Sequence, residues 1–65
     1  MEALTDDVII ARLGGLVGVA MALSDQLAEI TKGAGGDPNQ DLLVTSSRLL
    51  LSNIESKKSM LEQKQ

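Results

Sequence analysis

The sequence predicts an all-α protein: an antiparallel helical hairpin of two helices that completes a bundle with a partner chain. Two apolar repeats and the break between them predict it. In the first half, apolar residues recur at alternating spacings of four and three, the a/d pattern of a coiled coil: Ile9, Leu13, Leu16, Ala20, Leu23, Leu27 and Ile30. A glycine-rich turn at 33–37 follows, and beyond it a thinner repeat contains Leu43, Leu50, Ile54 and Leu61. At 65 residues the chain, 1–65, forms a single domain.

The first helix is predicted over residues 5–32. Thr5 is a natural N-cap, because its hydroxyl can accept a hydrogen bond from a free backbone N–H of the first turn. Two aspartates follow it, where the helix dipole favours negative charge. Lys32 suits the opposite end of the dipole, and Gly33 can adopt the left-handed conformation that ends a helix.

The second helix is predicted over residues 38–61, after a turn at 33–37. That turn has three glycines in four positions, which favours a flexible connection. Asp37 can cap the second helix, Pro38 suits its first position, and Gln40 can complete a capping box. The short connection makes the two helices an antiparallel hairpin.

We expect the hairpin to leave apolar surface for another chain. The second apolar repeat can occupy the seam of the first helix, which leaves a flank of that helix uncovered. Gly14 and Gly18 lie in a row of small residues that would let a neighbouring backbone approach closely. The residues predicted to bind a protein partner are Ile10, Gly14, Val17, Gly18, Met21, Leu49 and Leu51.

The composition points to an interaction module and away from an enzyme. The chain has no His, Cys or aromatic residue, so it lacks the usual zinc ligands, disulfides and a base that could activate a hydroxyl nucleophile. We therefore expect no catalytic residue, no cofactor, no metal and no small-molecule substrate. A chain this short has a marginal core, and oligomerisation, with itself or another protein, is the stabilising device that remains.

The charge and hydropathy patterns bear on nucleic acids and membranes. The net charge is −3, and the few basic residues of the second half are too sparse for a nucleic-acid-binding stripe. The longest uninterrupted apolar run, Leu13–Leu23, has eleven residues, whereas a spanning helix needs about 20. We therefore expect a cytoplasmic protein that binds neither nucleic acid nor membrane.

The layout resembles the YscE-type small co-chaperones of the bacterial type III secretion needle protein. The resemblance lies in Met21 to Leu27 near the end of the first helix, in the Gly35-Gly36-Asp37 turn, in Gln40 two residues after Pro38, and in the stretch Leu49–Ile54. It implies a helical hairpin that acts with a helical-repeat chaperone. Together they would keep the needle subunit soluble and unpolymerised in the cytosol.

Two other readings of the same pattern stay open. One is a homodimeric four-helix bundle that acts as a regulator. The other is a coiled-coil subunit of a larger assembly. All three functions require a protein partner, and they differ in whether that partner is a second copy or a different chain.

Overall fold

The computed structural model describes residues 4–64, and in that range the chain forms two helices. Helix α1 spans Asp6–Gly33 and helix α2 spans Leu42–Gln63. They pack side by side in opposite directions, which confirms the predicted all-α hairpin. The ends of the predicted domain, 1–3 and 65, lie outside the described residues.

Both ends of α1 are fixed by local hydrogen bonds. The backbone N–H of Val8 donates to Thr5 Oγ1 over 3.4 Å, so the predicted N-cap is confirmed. At the other end Gly33 is still helical, and the left-handed residue is Gly35, with φ +86°. Gly36 N–H donates to the carbonyl of Thr31 and Gly35 N–H to that of Lys32, the pair of bonds of a Schellman motif.

The start of α2 differs from the prediction by four residues. Asp37 does not cap the helix: its Oδ1 accepts from the N–H of Asn39, while its carbonyl accepts from Gln40 and closes a tight turn. The cap is Asp41, whose Oδ1 accepts from the N–H of Val44 over 3.0 Å. An aspartate side chain can accept a hydrogen bond from a backbone N–H two or three residues later. Asp37 uses this bond to form the turn, and Asp41 uses it to cap the helix.

The contact between the helices follows one stripe on each of them. All of its members are buried or half-buried, at alternating spacings of three and four. On α1 they are Ile10, Leu13, Val17, Ala20, Ser24, Leu27 and Thr31; on α2 they are Val44, Ser47, Leu51, Ile54, Lys58 and Leu61. Val44 is fully buried, and Ala20, Ser24 and Ser47 are at most 8% exposed.

The prediction of which residues fill this contact is half wrong. Leu13, Ala20 and Leu27 from the predicted seam do face α2, and Ile54 and Leu61 of the second repeat face α1. Five others from the two repeats are exposed: Leu16, Leu23, Ile30, Leu43 and Leu50. Ile9, which begins the first repeat, is half-buried. Small side chains occupy the centre of the contact, which lets the backbones approach more closely than a seam of leucines would.

Candidate interaction surface

The two sides of the hairpin differ in chemistry. On one side Gly14 and Val17 of α1 share a groove with polar and charged residues of α2, which are Glu55, Lys58, Ser59 and Glu62. On the other side, near the turn, Ile30 of α1 and Leu43 of α2 line a common groove. The first side is polar and the second is apolar.

The apolar side extends along both helices. Leu16 and Leu23 lie seven and fourteen residues before Ile30, and Leu50 lies seven residues after Leu43. Residues seven apart on an α-helix lie two turns apart on the same side. We call the surface formed by Leu16, Leu23, Ile30, Leu43 and Leu50 the apolar face.

The apolar face is open to solvent along its length. Its five side chains are 44% to 67% exposed. The hairpin measures 47 × 21 × 16 Å, so it is a single layer of helices, and no further element of the described chain covers either side. Burying one leucine or isoleucine fully is worth about 1.5–3 kcal/mol. The face therefore leaves a large hydrophobic free energy unused in the isolated chain.

The two ends of the apolar face carry opposite charges. Asp41 lines the groove at the turn end, together with Ile30 and Leu43. Towards the other end, Lys57 and Lys64 lie seven and fourteen residues after Leu50 and so continue its stripe on α2. One end of the face is acidic and the other is basic.

The structure separates the seven residues that the sequence predicted to bind a partner. Four of them are half-buried at the hairpin contact or beside it: Ile10, Gly14, Val17 and Leu51. Gly18, Met21 and Leu49 are exposed, and partner binding through all seven stays a prediction. Leu49 is one residue from Leu50, which turns it by about 100° and away from the apolar face. The seven residues therefore do not form one surface.

Sequence reasoning missed the apolar face because it assigned those residues to the hairpin contact. The sequence does contain a signal that could have revealed the apolar face. It is the pair of serines on the neighbouring stripe of each helix. Ser24 and Ser47 fall on stripes that also contain the buried Ala20 and Val44. A stripe of small residues beside a stripe of leucines indicates one close contact within the chain and one apolar stripe left exposed.

Only part of the predicted glycine row meets the other helix. A Cβ placed on Gly14 would lie 3.5 Å from Lys58 Cε, which is ordinary van der Waals contact. A Cβ on Gly15 or Gly18 would meet nothing within 4 Å. Close packing within the hairpin therefore does not require glycine at any of the three positions, and Gly14 is the one that lies against α2.

The surface offers little for metal chemistry. Among residues 4–64, no group of three or more His, Cys, Asp or Glu side chains could hold a metal ion. On the polar side Lys58 Nζ pairs with Glu62 Oε1 one helical turn later. The described residues therefore present grooves suited to packing, with no assembled set of ligands.

Helix α1 is long and apolar enough, by length and composition, to cross a membrane. An 18-residue window within it has a mean hydropathy of 1.7, and 11% of that window is buried. Core helices of soluble proteins and signal sequences pass the same test, so it is weak support for a membrane location. The expectation that the chain does not span a membrane stays a prediction.

Comparisons with protein families, with curated proteins and with solved structures found no match to this chain.

Proposed function

We propose that this chain is a non-enzymatic interaction module whose apolar face is covered by helices of a protein partner. The observation that carries the proposal is the exposure of Leu16, Leu23, Ile30, Leu43 and Leu50 on one side of a single helical layer. The two helices form a shallow trough between their leucine stripes. A helix with apolar residues spaced three and four apart would fill such a trough.

The weakness of the intrachain contact supports the same proposal. Its centre contains two serines, and Lys58 occupies one of its positions near the far end. Among the described residues, Ala20 and Val44 are the apolar side chains that are fully buried. A core this small contributes little free energy of folding, so a partner that covers the apolar face would stabilise the hairpin as well as bind it.

The co-chaperone function implied by the resemblance is a specific form of this proposal. In that form a helical-repeat chaperone covers the apolar face, and the pair keeps a secretion needle subunit soluble in the cytoplasm. Co-expression of this chain with such a chaperone and a needle subunit tests it. We expect a three-chain complex that Leu50→Gln disrupts and Leu49→Gln leaves intact.

Site-specific photo-cross-linking in cells that produce the chain tests the proposal directly. A photoreactive amino acid replaces Leu50 in one variant and Leu49 in a matched control. We expect a protein adduct from position 50 in much higher yield than from position 49, because only the first lies on the apolar face. Equal yields, or adducts with lipid alone at position 50, would overturn the proposal.

A further inference from the structure

We propose that the protein on the apolar face is a second copy of this chain. A two-fold axis that lies between the two apolar faces, perpendicular to the helices, relates the copies. The result is a four-helix bundle in which the two turns lie at opposite ends. This inference rests on the proposed function and names its partner. The exposed area, the charges at the two ends of the face and the spacing of its leucines support it.

The first support is area. The chain exposes 4910 Å², whereas a folded protein of 6.9 kDa exposes about 4,000 Å² by surface scaling. The excess is about 900 Å², and a stable interface of standard size buries about 800 Å² on each partner. One copy of the chain therefore has a surplus that matches one interface.

The second support is charge. With the turns at opposite ends, the basic end of one copy, with Lys57 and Lys64, lies over the acidic turn end of the other, with Asp41. The two-fold axis repeats this pairing, so the face is complementary to itself. With the turns at the same end, Lys57 and Lys64 of one copy would instead lie level with Lys57 and Lys64 of the other, where like charges repel.

The third support is the spacing of the leucines on α1. Leu16 and Leu23 lie seven residues apart on the apolar face. A two-fold axis perpendicular to the helices runs the two copies of α1 antiparallel, so an axis midway between these residues brings Leu16 of each copy to Leu23 of the other. Each leucine of the pair then meets a leucine.

A membrane and a different protein are the competing occupants. A lipid surface would match the apolar residues and leave the acidic end without a partner, because anionic lipids repel carboxylates. A different helical protein could cover the face equally well in area. Neither one is favoured by the self-complementary charges.

Sedimentation equilibrium of the purified chain tests the proposal. We expect a dimer of about 14 kDa, twice the chain mass of 6.9 kDa. Leu50→Gln should raise the dissociation constant by ~100-fold or more, because each dimer loses two buried leucines. Leu49→Gln is the matched control and should remain dimeric. Helicity by circular dichroism, followed on dilution, should fall together with the dimer if folding requires it.

A spin label tests the orientation. Gly33→Cys provides the only thiol in the chain, at a position where an added Cβ meets nothing within 4 Å. Turns at opposite ends separate the two labels by about 40 Å along the helices, at 1.5 Å per residue. Turns at the same end would bring them to about 10–20 Å, one or two interhelical spacings.

Each alternative result overturns the dimer. These results are a folded monomer, a dimer that Leu50→Gln leaves unchanged, a label distance near 10–20 Å, or a monomer that sediments with vesicles of phosphatidylcholine and phosphatidylglycerol. A folded monomer whose position 50 cross-links to a different protein in cells would overturn the dimer and leave the proposed function in place. Absence of any protein adduct at position 50 would overturn both.

Discussion

The side chain of Lys58 on α2 lies over Gly14 on α1. A Cβ at Gly14 would be 3.5 Å from Lys58 Cε, and the ammonium group of the lysine pairs with Glu62. The aliphatic stem of a lysine thus fills a position of the hairpin contact that a leucine would otherwise occupy, while its charge remains at the surface. A methyl group at position 14 would touch that stem at ordinary van der Waals distance, and a larger side chain would have to displace it.

Replacing this glycine with a large residue should stabilise the hairpin less than the same replacement at Gly18. Gly14→Leu places a bulky side chain where the Lys58 stem lies, whereas Gly18→Leu, the control, meets open space. Replacing a glycine inside a helix stabilises the helix by up to about 1 kcal/mol, so Gly18→Leu should raise the thermal midpoint by about 4–8 °C. The thermal midpoint of Gly14→Leu should rise by less than this or fall below that of the parent chain. Equal midpoints for the two variants would show that Gly14 is not at the contact.

The left-handed residue of the turn should not tolerate a side chain. Gly35 has φ +86°, where an L-residue costs about 1–2 kcal/mol. Gly35→Ala should therefore lower the free energy of unfolding by about 1 kcal/mol in urea titrations. Gly33 is helical and an added Cβ there meets nothing within 4 Å, so Gly33→Ala should be neutral or stabilising. The reverse order would place the end of α1 at Gly33, as the sequence predicted.

The two aspartates before α2 should differ in their contribution to stability. Asp41→Ala removes the side chain that caps the helix and should cost about 1 kcal/mol. Asp37→Ala removes a bond within the turn and should cost less. Urea titration of both variants measures the difference. A larger loss for Asp37→Ala would contradict the start of α2 at Leu42.

The small centre of the hairpin contact can be tested at Val44. Val44 is fully buried, so Val44→Ala should lower the free energy of unfolding by about 1–3 kcal/mol. Leu42 is 77% exposed, and Leu42→Ala should change it by less than about 0.5 kcal/mol. Thermal unfolding followed by circular dichroism checks the pair. A loss at Leu42 as large as that at Val44 would mean that the contact follows another stripe.

The sequence was sufficient to predict the helices but not how they are rotated against each other. Apolar spacing and Thr5 locate α1 to within one residue, because these signals are local to the helix. The contact stripe depends on the rotation of α2, which is fixed by Gly35 and Asp41 together. Asp37 and Asp41 are equivalent as capping residues in the sequence, so the choice between them is made by the closure of the turn.

The same ambiguity hid the apolar face. Both helices have two neighbouring apolar stripes, and local patterning cannot say which one faces the other helix. Leu16 and Leu50 have the spacing of a hairpin contact, yet Ser24 and Ser47 allow closer packing and occupy it instead. The sequence therefore predicted exposed apolar surface but placed Leu16 and Leu50 in the hairpin contact, and partner binding by the seven predicted residues stays a prediction.

Protection of a thiol at position 50 tests the central claim most directly. The chain has no cysteine, so Leu50→Cys and the control Leu49→Cys each provide a single reactive group. In producing cells, treated with a membrane-permeable maleimide, we expect position 50 to react at least about tenfold more slowly than position 49, as partner coverage requires. In the chain unfolded by urea the two should react equally. Equal rates in cells would contradict the claim that another protein covers the apolar face.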